Sequence, residues 1–352
     1  AEPNLDLIQF CATLLEGAGA RVQIIGDDTG KKANLFATIG PQGRAGVLLS
    51  GHTDGVPITG QEWTVPAFEM TETDGRLYGR GTTDMKGFVA SALMAALKAS
   101  KLDLQTPLHL ALSYDEEAGC KGVPHLLAAL PELCAPPLGA IIGEPTGLIP
   151  VLAHKGKAAV RISAKGVPGH SSRPDLGQNA IHALVPVLAA ASAQAEALKT
   201  GPTDPRFAPA YSSLQIGTLA GGQAINIIPE NAEARIEARA IAGVDPKAVL
   251  APVIAAASAA GAESEILSSY PALALAADEP LATLAEEISG NTALGAVSFG
   301  TEAGLFQQAG VPSVICGPGD IGRAHRPEEY ITCDELAAAR RMVMTLGRRL
   351  SA

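Results

Sequence analysis

Several times in this chain a short apolar run stops abruptly at glycine and then at a histidine or an acid, and this recurrence limits the possible folds more than any other feature. Residues 47–49 run into Gly51-His52-Thr53-Asp54, residues 108–113 into Tyr114-Asp115-Glu116-Glu117, and residues 139–142 into Gly143-Glu144-Pro145-Thr146. A glycine-punctuated stretch, Gly79-Arg80-Gly81-Thr82-Thr83-Asp84-Met85-Lys86-Gly87, puts Asp84 at the mouth of an Ala-rich helix expected over residues 88–100. Runs that stay apolar instead of alternating are strands buried on both faces, and such strands belong to sheets covered by helices. Polar groups are not tolerated inside such runs without partners. They therefore mark the strand carboxyl ends, the edge of an open α/β sheet where ligands bind.

The rest of the chain is consistent with such a layer, interrupted once. A helix over 5–16 and strands over 22–25, 34–39 and 45–50 open it, the last two joined by the turn Pro41-Gln42-Gly43 and expected to pair antiparallel. From about Gly156 the period changes. Residues 157–164 alternate, a helix follows over 178–197, hairpin-linked strands over 213–219, 224–229 and 234–240, a helix over 246–260 and a strand over 263–268. That β-α-β-β-α-β order predicts a ferredoxin-like unit. After Tyr270-Pro271 the α/β rhythm returns with a helix over 280–290, a strand near 297–299, the loop Thr301-Glu302-Ala303, a strand over 313–316, the loop Ala324-His325-Arg326-Pro327 and a closing helix over 334–350. The expected fold is α/β, a mixed sheet covered by helices from residues 1–156 and 269–352, with an inserted α+β domain over 157–268.

Composition narrows the partners. The 352 residues suffice for two domains, and no apolar run approaches the roughly 20 residues that span a bilayer. A net charge of -10 with only 4% aromatics argues against a nucleic-acid surface or an anionic membrane, leaving small molecules. Cys11, Cys120, Cys134, Cys316 and Cys333 are scattered without a paired motif, so neither a disulfide framework nor a thiolate zinc site is expected. No basic segment followed by an apolar one opens the chain, and a cytoplasmic location is expected.

His52, Asp84, Glu117, Glu144 and His325 are then two imidazoles and three carboxylates expected at one sheet edge. Each alone has a bland reading: His52 and Asp54 as a turn pair, Asp84 as a helix cap. Five in order do not. Nitrogen and oxygen ligands without thiolate suit Zn(II), Co(II) or Mn(II). Two divalent ions are neutralised by three carboxylates and one hydroxide, whereas a single ion leaves the same set negative, so the count favours two.

In order, Gly51-His52-Thr53-Asp54, Gly79 to Gly87, Asp115-Glu116-Glu117, Gly143-Glu144-Pro145-Thr146, Gly169-His170-Ser171-Ser172 and Ala324-His325-Arg326-Pro327 resemble the signature segments of the co-catalytic dizinc M20 peptidase family, over nearly the whole chain. The resemblance implies a zinc-peptidase-like catalytic domain holding two Zn2+ (Co2+ or Mn2+ also fit), and an inserted dimerisation and lid domain that makes a homodimer. Asp84 is implied to bridge the ions, with His52 and Glu144 completing one position and Glu117 and His325 the other. Asp54 is implied to orient His52, Glu116 to act as general base for attack by metal-bound hydroxide, and His170 to stabilise the oxyanion from the neighbouring subunit. Asn226 and Arg239, both expected on strands, are implied to bind the substrate carboxylate. Thr301-Glu302-Ala303, Gly317-Pro318-Gly319 and the segment from Ala324 to Tyr330 look most like the branch that deacetylates Nα-acetyl-L-ornithine, which places Thr301 and Glu302 at the substrate. Desuccinylase, aminoacylase and dipeptidase branches are the alternatives. A catalytically silent relative is expected to lack Glu116 or a ligand, and none is missing. Relatives usually carry a further helix ahead of the segment at Asn4-Leu5, so exposed apolar surface is expected where it would pack.

Overall fold

Helix α1 (Leu5–Gly17) turns Ile8, Cys11, Ala12 and Leu15 inward at helical spacing, and the chain then enters β1 (Arg21–Gly26), β2 (Ala33–Ile39) and β3 (Val47–His52). The structure, a computed structural model, describes residues 2–352. The hairpin β4 (Thr71–Thr73) and β5 (Arg76–Tyr78) precedes a wide turn over Thr82–Lys86, followed by α2 (Gly87–Ala99), β6 (Leu108–Ser113), α3 (Val123–Leu133), β7 (Gly139–Pro145) and the short β8 (Ala153–His154). Every residue of β2, β3, β6 and β7 is buried, the behaviour predicted from their unbroken apolar runs.

A second unit takes up residues His154–Ala272 together with Val297–Gly300. It contains β9 (Gly156–Lys165), α4 (Ala180–Leu198), β10 (Ser213–Gly221), β11 (Asn231–Ala240), α5 (Pro246–Ala259) and β12 (Glu263–Tyr270). The strands form one antiparallel sheet in the order β10-β11-β9-β12, the ferredoxin-like arrangement. Alternate residues of β9 are buried, so one sheet face packs Val160 and Ile162 against Leu184 and Val187 of α4 and Leu250 and Val253 of α5. Asn179 caps α4 by accepting hydrogen bonds from the Ile181 and His182 amides, and Asp245 caps α5 through Lys247 N. Residues 224–229 are a turn and not the expected strand; only Ile227 bridges, to His170. Contrary to the expectation that no apolar run approaches bilayer length, α4 is by length and composition long and apolar enough to cross one. In this fold its inner residues, Leu184, Val187 and Ala191, belong to the core of the unit.

The chain returns through β13 (Leu273–Ala274), α6 (Pro280–Ser289), α7 (Ala303–Gln308), β14 (Ser313–Gly317), β15 (Tyr330–Thr332) and α8 (Cys333–Leu350). No strand forms near 297–299, where Val297 makes a single bridge to His154. In the first unit the six strands run β1-β2-β6-β3-β7-β14. Strands β1, β2 and β6 pair antiparallel, while β3 is parallel to β6 and β7, and β14 is parallel to β7. The expected hairpin of β2 with β3 is therefore absent: β6 lies between them and bonds to both. The apolar residues of β6 satisfy two neighbours at once, which the short turn at Pro41-Gln42-Gly43 could not reveal. Residues of α1, α2, α6 and α8 share one core with this sheet. Phe88 of α2 seats directly on β7, and a Cβ at Gly143 would fall 2.0 Å from its ring, so only glycine lets the helix approach. That approach sets Asp84, just ahead of α2, beside Glu144, the next residue of β7.

Candidate metal centre

His52 ends β3 and Glu144 lies near the end of β7, both held by parallel pairing, while Glu116 and Glu117 follow β6 directly. Asp84 sits in the turn over Thr82–Lys86, made possible by Gly81, whose φ of 84° suits glycine and where a Cβ would lie 2.6 Å from Lys86 Nζ. These elements bring the five expected donors together. His52 Nε2 is 3.0 Å from Asp84 Oδ1 and 3.8 Å from Glu144 Oε1. His325 Nε2 is 3.2 Å from the other oxygen, Asp84 Oδ2, and 3.1 Å from Glu117. Asp84 thus divides its carboxylate between two imidazoles, each with its own second acid.

Electrostatics tests whether cations fit here. Burial raises the Glu144 carboxyl well above the carboxylate range, with the Asp84 charge adding, and burial lifts Glu116 to about 8 against the opposing pull of His52. His325 is raised to about 10 by hydrogen bonding to Asp84 and Glu117. Burial works against protonation of His52, but Asp54, Asp84 and Glu144 outweigh it and raise its pKa. Burial opposes ionisation of Asp84 as well, yet the two imidazoles keep its pKa lowered. Acids held up and imidazoles held up together mean a local excess of negative charge, countered by little besides Lys86, whose Nζ donates to Asp54 O at 3.3 Å. The donor atoms of His52, Asp84 and Glu117 lie within 4.8 Å of one another, as do those of His52, Glu116 and Glu144. Divalent cations would supply the missing positive charge, and the donor chemistry suits them.

The surrounding residues explain why the donors are held. Asp54 Oδ1 lies 3.5 Å from His52 Nδ1, and its two oxygens also accept the Glu116 and Glu117 amides at 3.1 Å each. One carboxylate therefore ties the imidazole to the acidic loop. Asp115 is turned away into an ion pair with Lys32 at 2.6 Å. Cys120, buried, donates through Sγ to Glu116 Oε1 at 3.3 Å.

Thr301 and Glu302, expected at the substrate, are both buried: Glu302 accepts from Ser50 Oγ at 2.5 Å and from Ser113 Oγ at 2.7 Å, while Thr301 Oγ1 accepts the Ala303 amide. Glu302 thereby braces the ends of β3 and β6. Glu329, to which no role was assigned, is buried as well and accepts the Thr83 and Asp84 amides at 3.0 and 3.1 Å. The signal was present as a charge beside His325 and an Arg80 inside the glycine-rich loop, with which it pairs at 2.6 Å.

In the second unit, His170 is exposed, with Nδ1 2.8 Å from the Ser172 hydroxyl and 3.2 Å from the Ser172 amide. Asn226 lies in the turn 224–229 and not on a strand; its carbonyl accepts the Ser171 amide, so the fold brings it beside the His170 segment. Arg239 lies on β11, with Nε donating to Glu237 Oε1 at 2.7 Å. Of the remaining imidazoles, His109 is buried against Thr38, His154 Nδ1 lies 2.9 Å from Lys155 O, His125 stacks on Tyr114, and His182 is exposed.

A mixed sheet whose strand ends gather imidazole and carboxylate donors around an unneutralised charge fits a protein built to hold divalent metal. The chain belongs to the Peptidase family M20/M25/M40, whose profile it matches over residues 48–349. It is 37% identical over 350 residues to the acetylornithine deacetylase of Myxococcus xanthus, covering 95% of this chain and 89% of the relative. To the acetylornithine deacetylase of Proteus mirabilis it is 35% identical over 338 residues, covering 94% and 86%. The fold is shared with an M20 family metallo-carboxypeptidase of Sulfolobus solfataricus, at a TM-score of 0.79 and 19% identity over 98% of this chain and 93% of that one. The protein is accordingly an amide hydrolase of this family, dependent on divalent metal.

Proposed function

We propose that this enzyme is a dinuclear zinc deacetylase that removes the acetyl group from Nα-acetyl-L-ornithine, a step of arginine biosynthesis. The observation that carries the dinuclear reading is the division of Asp84, one oxygen toward His52 and Glu144, the other toward His325 and Glu117. The substrate reading rests on relatives at 37% and 35% identity that bear that activity in their names.

When bound, the metal pair acts as a Lewis acid, lowering the pKa of water and polarising the acyl oxygen. The protein's part begins with Glu116, whose carboxylate accepts the proton of the attacking water and returns it to the amine that leaves. The Asp54 carboxylate keeps Glu116 and Glu117 in register with His52 by binding all three. His170, whose imidazole can offer a hydrogen-bond donor, is assigned to the tetrahedral oxyanion, contributed by a second copy of the chain. Arg239 and Asn226 are assigned to the substrate carboxylate, a task for which a planar guanidinium is fitted. A homodimer through the second unit is supported by its exposed apolar residues Leu176, Ile181, Val185, Leu219, Ile225 and Ile227. Five unpaired cysteines accord with a cytoplasmic enzyme.

The test is a metal analysis of the purified protein paired with a substrate panel of Nα-acetyl-L-ornithine, N-succinyl-diaminopimelate, acetylated neutral amino acids and dipeptides. The acetylornithine assignment predicts that kcat/KM is highest for the first. Preference for any other member reassigns the enzyme within its family, to desuccinylase, aminoacylase or dipeptidase, and turnover of none returns it to a silent ligand-binding relative.

A further inference from the structure

The two imidazoles of the centre are held by different means. His52 is part of β3, bonded to strands on both sides. His325 stands on a loop with its side chain half exposed and its backbone in the left-handed region, at φ 64°, uncommon for a residue other than glycine. Around it runs a chain of side chains that begins in the loop before β4. Gln61 Nε2 donates to the His325 carbonyl at 2.9 Å. Gln61 Oε1 accepts from Arg80 Nη2 at 2.5 Å and from Trp63 Nε1 at 3.1 Å, which fixes the orientation of the amide, because only its oxygen can serve two donors. Arg80 Nη1 in turn bonds Glu329 Oε2 at 2.6 Å and the Arg326 carbonyl at 3.2 Å, and the remaining oxygen of Glu329 holds the Asp84 amide. Nearby, Glu328, also left-handed at φ 57°, accepts from the Thr64 amide and hydroxyl at 2.5 and 2.8 Å.

We propose that Gln61 is a positioning residue for the metal position formed by His325 and Glu117, fixing the His325 backbone in register with Asp84 through Arg80 and Glu329. The proposal rests on the dinuclear reading above. Arg80 and Glu329 are buried and serve the whole loop of Asp84, and so both positions. Gln61 is half-buried; it bonds His325 directly and reaches Asp84 only through Arg80, which keeps its own bonds to Glu329 and the Arg326 carbonyl, so removing Gln61 acts first on the position of His325. Partners that orient a ligand without touching the metal typically change metal affinity by about 10- to 100-fold when lost.

The experiment is a Zn2+ titration of the metal-free full-length protein, by calorimetry and by competition with a chelator, on wild type, Gln61→Ala, Gln61→Glu and His325→Ala. Wild type is expected to bind two ions. Gln61→Ala should bind the first ion as wild type does and the second about 10-fold or more weakly. Gln61→Glu, which keeps an acceptor for Arg80 and Trp63 but has no proton for the His325 carbonyl, should show the same loss. His325→Ala should lose the second ion. If His325→Ala loses it while Gln61→Ala binds both ions as tightly as wild type, the role of Gln61 is overturned and the dinuclear reading stands. Normal binding by Gln61→Glu beside weak binding by Gln61→Ala overturns the bond to His325 as the cause. Two ions retained by His325→Ala overturn both.

Discussion

His109 offers a test of the fold that is independent of metal chemistry. It lies on β6 with its ring 1% exposed, stacked 5.3 Å from Phe36, with Nδ1 2.9 Å from Thr38 Oγ1. Its Nε2 has no hydrogen-bond partner among the described residues and is walled in, since a Cβ at Gly46 would stand 2.5 Å away. Burial, with the Arg21 charge adding, lowers its pKa from 6.5 to about 4. In the folded protein the ring therefore stays neutral down to about 4, whereas the unfolded chain takes up the proton near 6.5. Between those values acid favours the unfolded state, so stability is lost as pH falls through the window. At about 1.36 kcal/mol per pKa unit, the loss from this ring is about 2 kcal/mol at about pH 5. The variant His109→Gln keeps a polar partner for Thr38 and cannot titrate. Urea unfolding followed by circular dichroism at about pH 7 and about pH 5, with chelator present throughout, should show the variant gaining about 2 kcal/mol on wild type at the lower pH. A difference between the two proteins that does not change with pH would refute the assignment of a buried neutral ring.

Replacing Glu116 by Ala should leave both ions bound and lower kcat by a factor of about a hundred to ten thousand, whereas loss of an ion on metal analysis makes Glu116 a ligand instead. Glu302→Leu strands the Ser50 and Ser113 hydroxyls in a buried site at about 1–3 kcal/mol each, so the denaturant midpoint should fall together with activity; an unchanged midpoint would remove the brace from the account. Chelation should abolish turnover, with Zn2+, Co2+ or Mn2+ restoring it. Resupply at about a hundred times the dissociation constant should add about 2.7 kcal/mol of stability for each ion bound. Full activity in a chelated, metal-free sample would end the metal reading.

The residues that gather at the candidate site were legible in the sequence because their signals are local. A buried strand must be apolar along its length, so the point where 47–49, 108–113 and 139–142 give way to His52, Glu116-Glu117 and Glu144 is visible without knowing what the strands pair with. The alternation of β9 and the β-α-β-β-α-β order are likewise properties of neighbouring residues. Short apolar fragments were less secure: 224–229 and 297–299 have strand composition but lie where no neighbour offers a ladder to join.

Other features depended on residues far apart in the chain. The turn between β2 and β3 reads as a hairpin, but the pairing was decided by β6, which arrives about seventy residues later and bonds to both. An acid in a loop reads the same whether it faces a substrate or a core, and only packing showed Glu302 buried beneath Ser50 and Ser113. Likewise Asp84 alone indicates a carboxylate, while the direction of each of its oxygens is set by His52 on one strand and His325 on a distant loop. The sequence by itself determined which groups can bind and react, because that is the chemistry of each side chain. Their partners, charge state and exposure were decided by the tertiary structure, because hydrogen bonds and Coulomb interactions depend on distance in space, which separation along the chain does not specify.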